Sequence, residues 1–158
     1  MMINEIADLF REDLVFVEEA TNKEEIFNII GARLIEQGLV KDNFIQELLN
    51  RENNYPTGLD LSIVDQAPFN IAVPHTEREY CNCKQIVVVK LIHEIILANM
   101  ISPADQLKVK YLFIMLNNDE DAQVNLLANI MDFVTKESTL AALEKYDTPK
   151  EIYNFIAH

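Results

Sequence analysis

The sequence predicts an α/β protein built as one domain on a mixed β-sheet. Short β-branched and apolar runs crowd the middle of the chain, and helical periodicities bracket them on both sides. With only 3 Gly and 5 Pro in 158 residues, and no repeat or low-complexity run, no linker divides it.

The elements follow in order. Residues 2–10 suit a short helix. Leu14 to Glu18 (LVFVE) reads as a strand. Thr21 offers an N-cap, and Glu24 stands at capping-box spacing. The helix KEEIFNIIGARLIEQG then puts Ile26, Phe27, Ile29, Ile30, Leu34 and Ile35 on one face, and Gly38 stops it. A second helix is expected over about 42–52, with Phe44, Ile45, Leu48 and Leu49 inward. Tyr55-Pro56-Thr57-Gly58 reads as a turn in which Gly58 takes the awkward dihedral. Loop or edge structure follows to Pro68, and NIAVP (70–74) is a short strand. QIVVVKL (85–91) is strongly β-branched, residues 94–100 suit a separate strand, and VKYLFIML (109–116) reads as the most buried one. Asn118 or Asp119 is placed to cap a helix over about 120–135, with Val124, Leu127, Ile130, Met131 and Val134 on one face. A short helix at 137–143 and a last one at 149–157, with Pro149 in its first turn, complete the chain.

Composition narrows the function classes. No stretch approaches the ~20 apolar residues of a membrane span, and MMINEIADLF has no basic leader, so no signal peptide is expected. Membrane, secreted-disulfide and fibrous classes are therefore not expected. Lys and Arg number 13 against 26 Asp and Glu, a formal charge of −13. Without a basic cluster, nucleic-acid binding is not expected. An acidic chain favours a basic protein partner over an anionic membrane. Cys81 and Cys83 stand as C-N-C, too close for a relaxed disulfide and without the second ligand pair of a zinc site. They are read as reduced thiols.

The histidines hold the candidate chemistry. His158 is terminal and His93 reads as a strand-end surface residue. His75 follows a short strand and a proline in NIAVPHTE, where loops build sites. A neutral imidazole is a good nucleophile near pH 7. The residues alone favour a half-buried histidine bonded to a backbone carbonyl. Arg51, near the end of the second helix, presents a planar fork that suits phosphate. Taken alone it reads better as a solvated arginine welcomed by the helix C-terminus. No P-loop, GxGxxG, HExxH or GxSxG occurs.

The order of LLNREN-NYPTGLDL, FNIAVPHTE, a β-rich run and NNDEDAQVNLLANIMDFV changes that weighing. It resembles the IIA component of the bacterial phosphoenolpyruvate-dependent sugar phosphotransferase system, of the fructose/mannitol superfamily. The RENNYPTGL segment and the PHTE ending are most similar to the galactitol-type branch; mannitol- and fructose-type members tend to carry glycine after the histidine. The resemblance runs from about Leu14 to Phe155.

It implies a single domain, a mixed sheet with helices on both faces. It implies that His75 accepts a phosphoryl group from phospho-HPr and passes it to a cysteine of the IIB component. Sugar uptake through IIC at the membrane would follow. Arg51 would stabilise the phosphate, Thr76 would bond a phosphoryl oxygen or orient the ring, and Glu77 would fix the ring tautomer or lie outside the site. Asp121 falls where mannitol-type members carry a second histidine, with Gln123 two residues on. No cofactor and no metal are expected, direct membrane insertion is not expected, and the location implied is cytoplasmic. The alternative is a regulatory IIA-like domain signalling through phosphorylation-dependent partner binding. A non-catalytic interaction domain and a Cys- or His-dependent hydrolase are weaker readings.

Overall fold

The computed structural model describes residues 6–64, 67–119, 123–136 and 138–157. Five strands form one sheet: β1 (Val15–Glu18), β2 (Gly58–Leu59), β3 (Asn70–Ala72), β4 (Gln85–Ala98) and β5 (Gln106–Leu116). Their order is β1-β4-β5-β3-β2. Pairings β1/β4 and β3/β5 are parallel, while β4/β5 and β2/β3 are antiparallel, so the sheet is mixed as expected. The helices are α1 (Lys23–Glu36), α2 (Phe44–Asn54), α3 (Gln123–Val134), α4 (Thr139–Lys145) and α5 (Pro149–Ile156).

The period-2 alternation of the two central strands explains both layers. Ile86, Val88, Tyr111, Phe113 and Met115 share a core with Leu126, Ile130 and Val134 of α3, Leu140 and Leu143 of α4, and Ile152 and Ile156 of α5. Val87, Val89, Leu112, Ile114 and Leu116 point the other way, onto Ile26, Phe27, Ile30 and Leu34 of α1 and Phe44 and Leu48 of α2. The amino-terminal helices thus cover one face and the carboxy-terminal helices the other. In α3 the buried ridge is Leu126, Ile130 and Val134, with Leu127 and Met131 partly buried beside it. Leu126 was missed from the sequence, and Val124 lies outside the described side chains.

Several local expectations are revised. Asn22, not Thr21, caps α1: its side chain accepts from Glu25 N at 2.9 Å. Glu25 Oε1 accepts from the N–H of Thr21, the residue before the cap, at 2.7 Å, so the pair that closes the helix start is Asn22 and Glu25 in place of Thr21 and Glu24. Gly38 does stop α1, at φ +75, with Leu39 N donating to Leu34 O and Gly38 N to Ile35 O, a Schellman closure. Gly58 takes no positive φ; a Cβ there would lie 2.5 Å from the Ala98 carbonyl oxygen. That glycine is required for space. Residues 85–98 form one strand, with a register shift between Lys90 and Ile95, instead of two. His93 therefore lies within β4, exposed, 3.4 Å from Glu19. The Thr148/Glu151 capping box with Pro149 opens α5. Cys81 and Cys83 are both free thiols. Of the helix expected at 2–10, residues 6–10 are described: Ile6 and Ala7 are helical, and Leu9 N donates to Ile6 O and Phe10 N to Ala7 O.

Lys90 is buried within β4 (side chain 7% exposed). Its ammonium donates to the Glu144 carbonyl at 3.0 Å and to the Tyr146 carbonyl, and stands 3.5 Å from Asp147. These groups end α4, where the dipole favours a cation. Lys90→Met keeps the aliphatic stem but orphans these acceptors. The expected loss is about 2–3 kcal/mol, read as a lower denaturation midpoint; an unchanged midpoint would show that water replaces the ammonium there.

Candidate functional site

The neighbouring parallel strands β3 and β5 end together, and a cleft of about 320 Å³ opens beyond them. Carboxyl ends of parallel strands are where open α/β sheets gather ligand sites. Arg51, His75, Thr76, Glu77, Arg78, Glu79, Asn117 and Asp119 line it. His75 follows β3 and makes an isolated bridge with Met115, whose N–H donates to the Pro74 carbonyl at 3.0 Å. β3 ends at Ala72, Pro74 has no N–H with which to extend the strand's hydrogen bonding, and His75 stands just past the strand end.

The ring is half-buried, and its Nδ1 lies 2.9 Å from the Val73 carbonyl oxygen. A carbonyl only accepts, so the proton belongs on Nδ1, and in the neutral ring Nε2 carries the unshared pair. The carbonyl-bonded histidine and the nucleophilic one are therefore the same arrangement. Burial pushes the His75 pKa below its ordinary 6.5, the Val73 carbonyl opposes that shift, Arg51 adds to it and Glu77 opposes it. The neutral, nucleophilic form therefore persists to more acid pH than in a free histidine. An NMR titration is expected to place the His75 midpoint below 6.5, with the Nδ1–H tautomer above it. A midpoint at or above 6.5 would overturn the burial argument. Because the unfolded chain holds that proton more tightly, the contribution of this group to stability rises with pH through the window just below 6.5.

Arg51 comes from the last turn of α2, with its guanidinium over the Tyr55 ring at 4.7 Å. Its Nη1 donates to Glu77 Oε1 at 2.7 Å. Its Nε is buried with no hydrogen-bond partner among the described residues. The chain after α2 is held by Glu52, buried, which accepts from Thr57 N at 2.9 Å and from Thr57 Oγ1 at 2.7 Å. The Thr57 carbonyl then accepts from Val73 N at 3.2 Å, two residues before His75. One hydrogen-bonded run, Glu52 to Thr57 to Val73 to the ring, therefore sets the arginine helix against the histidine strand.

The structure brings together His75, Arg51, Thr76 and Glu77. Thr76 is buried, and its hydroxyl donates to the Glu77 carbonyl at 2.9 Å, with Cys81 Sγ 3.7 Å away. Glu77 reaches Arg51, and Val73 takes the role of fixing the tautomer. Asp121 lies outside the described residues, and of Gln123 only its place at the start of α3 is described. Sequence reasoning missed Glu52, Thr57, Arg78, Glu79, Asn117 and Asp119; the capacity of Thr57 to bond a preceding glutamate in a Pro-containing turn was the one available signal. Among the described residues no group of three His, Cys, Asp or Glu could hold a metal ion, and no helix is long and apolar enough to cross a membrane.

A basic nitrogen and an arginine fork in a small polar cleft suit a domain that holds an oxyanionic group in transit. Residues 8–158 match the family described as phosphoenolpyruvate-dependent sugar phosphotransferase system, EIIA 2, and the chain belongs to that family. Such domains are components of a phosphotransferase. The chain is 26% identical over 148 residues to the mannitol-specific EIICBA component of the phosphotransferase system of Buchnera aphidicola subsp. Acyrthosiphon pisum, covering 94% of this chain and 22% of the relative. It thus spans about a fifth of that relative's length. Among solved structures it is similar to the mannitol-specific cryptic phosphotransferase enzyme IIA CmtB of Escherichia coli (TM-score 0.73, 16% identity, 99% of each chain). It is also similar to the mannitol enzyme IIA of Escherichia coli, solved in complex with phosphorylated mannitol enzyme IIB (TM-score 0.72, 20% identity, 94% of this chain and 99% of that one). Both likenesses establish the α/β fold with its mixed five-stranded sheet.

Proposed function

We propose that the chain is a phosphocarrier: Nε2 of His75 takes a phosphoryl group from phospho-HPr and gives it to a cysteine of a IIB component. The observation that carries this reading is the Nδ1–Val73 contact at 2.9 Å, which leaves Nε2 as the nucleophile beside Arg51. In the step, the P–N bond of the donor phosphohistidine breaks and its pair returns to the donor nitrogen. The His75 Nε2 pair forms the new P–N bond while the proton stays on Nδ1. The ring gains positive character, which the Val73 carbonyl favours. Transfer of this kind needs chiefly in-line positioning and neutralisation of the equatorial oxygens, supplied here by Arg51.

The acceptor is read as the IIB component of a polyol system in the cytoplasm, coupled through IIC to uptake. The named relatives are mannitol-specific. The galactitol-type branch rests on the RENNYPTGL and PHTE segments alone. The test is intact-protein mass spectrometry after incubation with phosphoenolpyruvate, Enzyme I and HPr, then chase with mannitol-type or galactitol-type IIB. An acid-labile phosphoryl adduct discharged by one IIB supports the reading and selects the branch. No adduct while HPr is charged would overturn it and put the regulatory role first.

A further inference from the structure

The unphosphorylated site already holds an anion against its arginine. The Glu77 carboxylate accepts from Arg51 Nη1 at 2.7 Å, and both residues line the His75 cleft. The same two side chains also line a second, smaller pocket of about 130 Å³, with Glu47, Asn50, Asn54, Tyr55 and Tyr80. The ion pair is thus the wall between the two spaces. Its partners differ in freedom. Arg51 is the more buried (30% exposed), on a helix and stacked on Tyr55, whereas Glu77 is 56% exposed in a loop. A phosphoryl group on His75 would compete for the same guanidinium, and a carboxylate left beside it would repel it. The phosphoryl group is tied covalently to the ring, so Glu77, exposed and on a loop, is the anion that yields. The second pocket offers the amides of Asn50 and Asn54 to turn toward, with the Glu47 carboxylate on the same lining.

We propose that Glu77 is a positioning residue, an internal stand-in for the phosphoryl group that occupies Arg51 while His75 is empty and is displaced when His75 is loaded. The proposal rests on His75 being the phosphoryl acceptor. It keeps the arginine aimed at the cleft before the donor arrives, and it lowers the affinity of the loaded state by the strength of the pair it gives up. That keeps the carried group easy to pass on.

The test is a double-mutant cycle on the full chain. The equilibrium ratio of phosphorylated chain to phospho-HPr is measured for wild type, Glu77→Gln, Arg51→Ala and the double variant. Glu77→Gln is expected to shift the ratio toward the phosphorylated chain by about three- to tenfold, the scale of a part-exposed ion pair with some added repulsion. In the Arg51→Ala background the same change is expected to shift it less than about twofold. An equal shift in both backgrounds would mean simple charge repulsion and overturn the stand-in role, as would no shift in either. A second arm does not need HPr. His75 is loaded chemically with phosphoramidate, and the carbon resonance of the Glu77 carboxyl group is followed. It should move on loading in wild type and stay in place in Arg51→Ala; an unmoved resonance in loaded wild type overturns the proposal. If phosphoramidate loads His75 while charged HPr does not, the donor assignment fails and this arm still decides the role of Glu77. If phosphoramidate does not load His75, both fall.

Discussion

His75→Ala should abolish phosphoryl acceptance and leave the fold standing. The nucleophilic pair sits on Nε2 because Nδ1 is committed to the Val73 carbonyl, and no other imidazole among the described residues lines the cleft. His93 is exposed on β4 beside Glu19, outside the residues that form the cleft. The loss should therefore be complete at the sensitivity of intact mass spectrometry, not partial. The structural cost is one hydrogen bond from a half-buried ring, about 1 kcal/mol, which a thermal melt would register as a small shift. Retained phosphorylation in His75→Ala would move the acceptor elsewhere. A collapsed melt would make the variant uninformative about chemistry, and His75→Gln, which keeps an amide donor toward Val73, then supplies the comparison.

Arg51→Ala should slow transfer about 10²–10³-fold, the scale found when a preorganised charge-stabilising donor is removed from a site. Its effect on stability should stay under about 1 kcal/mol, because its ion pair with Glu77 is part-exposed and such pairs contribute little. The separation of the two effects is the point of the measurement. An arginine that merely ends a helix would lower stability and leave the rate alone. Rapid-quench transfer from phospho-HPr reads the rate, and urea unfolding reads the stability. Arg51→Lys should recover only part of the rate, since an ammonium cannot reproduce the planar fork. The same variants carry a second signature. Arg51 is one of the groups holding the His75 pKa down, so Arg51→Ala should raise the titration midpoint of the ring. Equal transfer rates in mutant and wild type would remove Arg51 from the site.

Much of the architecture was legible because its signals are local. The near-unbroken apolar, β-branched runs QIVVVKL and VKYLFIML mark strands buried on both faces, and the 3.6-residue spacing through KEEIFNIIGARLIEQG marks α1. The helix stop at Gly38 and the helix start at Pro149 depend on single dihedral preferences and appear where expected. Failures came where two local solutions compete. Thr21 and Asn22 both qualify as caps, and the one whose side chain reaches Glu25 N prevails. Gly58, the first residue of β2, reads in the sequence as a dihedral requirement and is a packing one, set by Ala98, forty residues away. The split expected between 91 and 94 does not exist, because β5 pairs across the irregularity and carries the strand through it.

For the site, the sequence by itself determined which side chains are chemically eligible: a histidine after a strand and proline, and an arginine at a helix end. It also determined that the chain would fold as a mixed α/β domain, since periodicity and residue type suffice for that. Only the tertiary structure decided that these residues meet. The order β1-β4-β5-β3-β2 lays β3 parallel to β5, so His75 and Asn117 end on the same side. The run from Glu52 through Thr57 to Val73 brings α2 against that edge. The pairing of Arg51 with Glu77, 26 residues apart, follows from it. The physical reason is range. Propensities and caps act within a few residues, while a hydrogen-bonded site is specified by which strands are neighbours, and that is settled by the burial of the whole core.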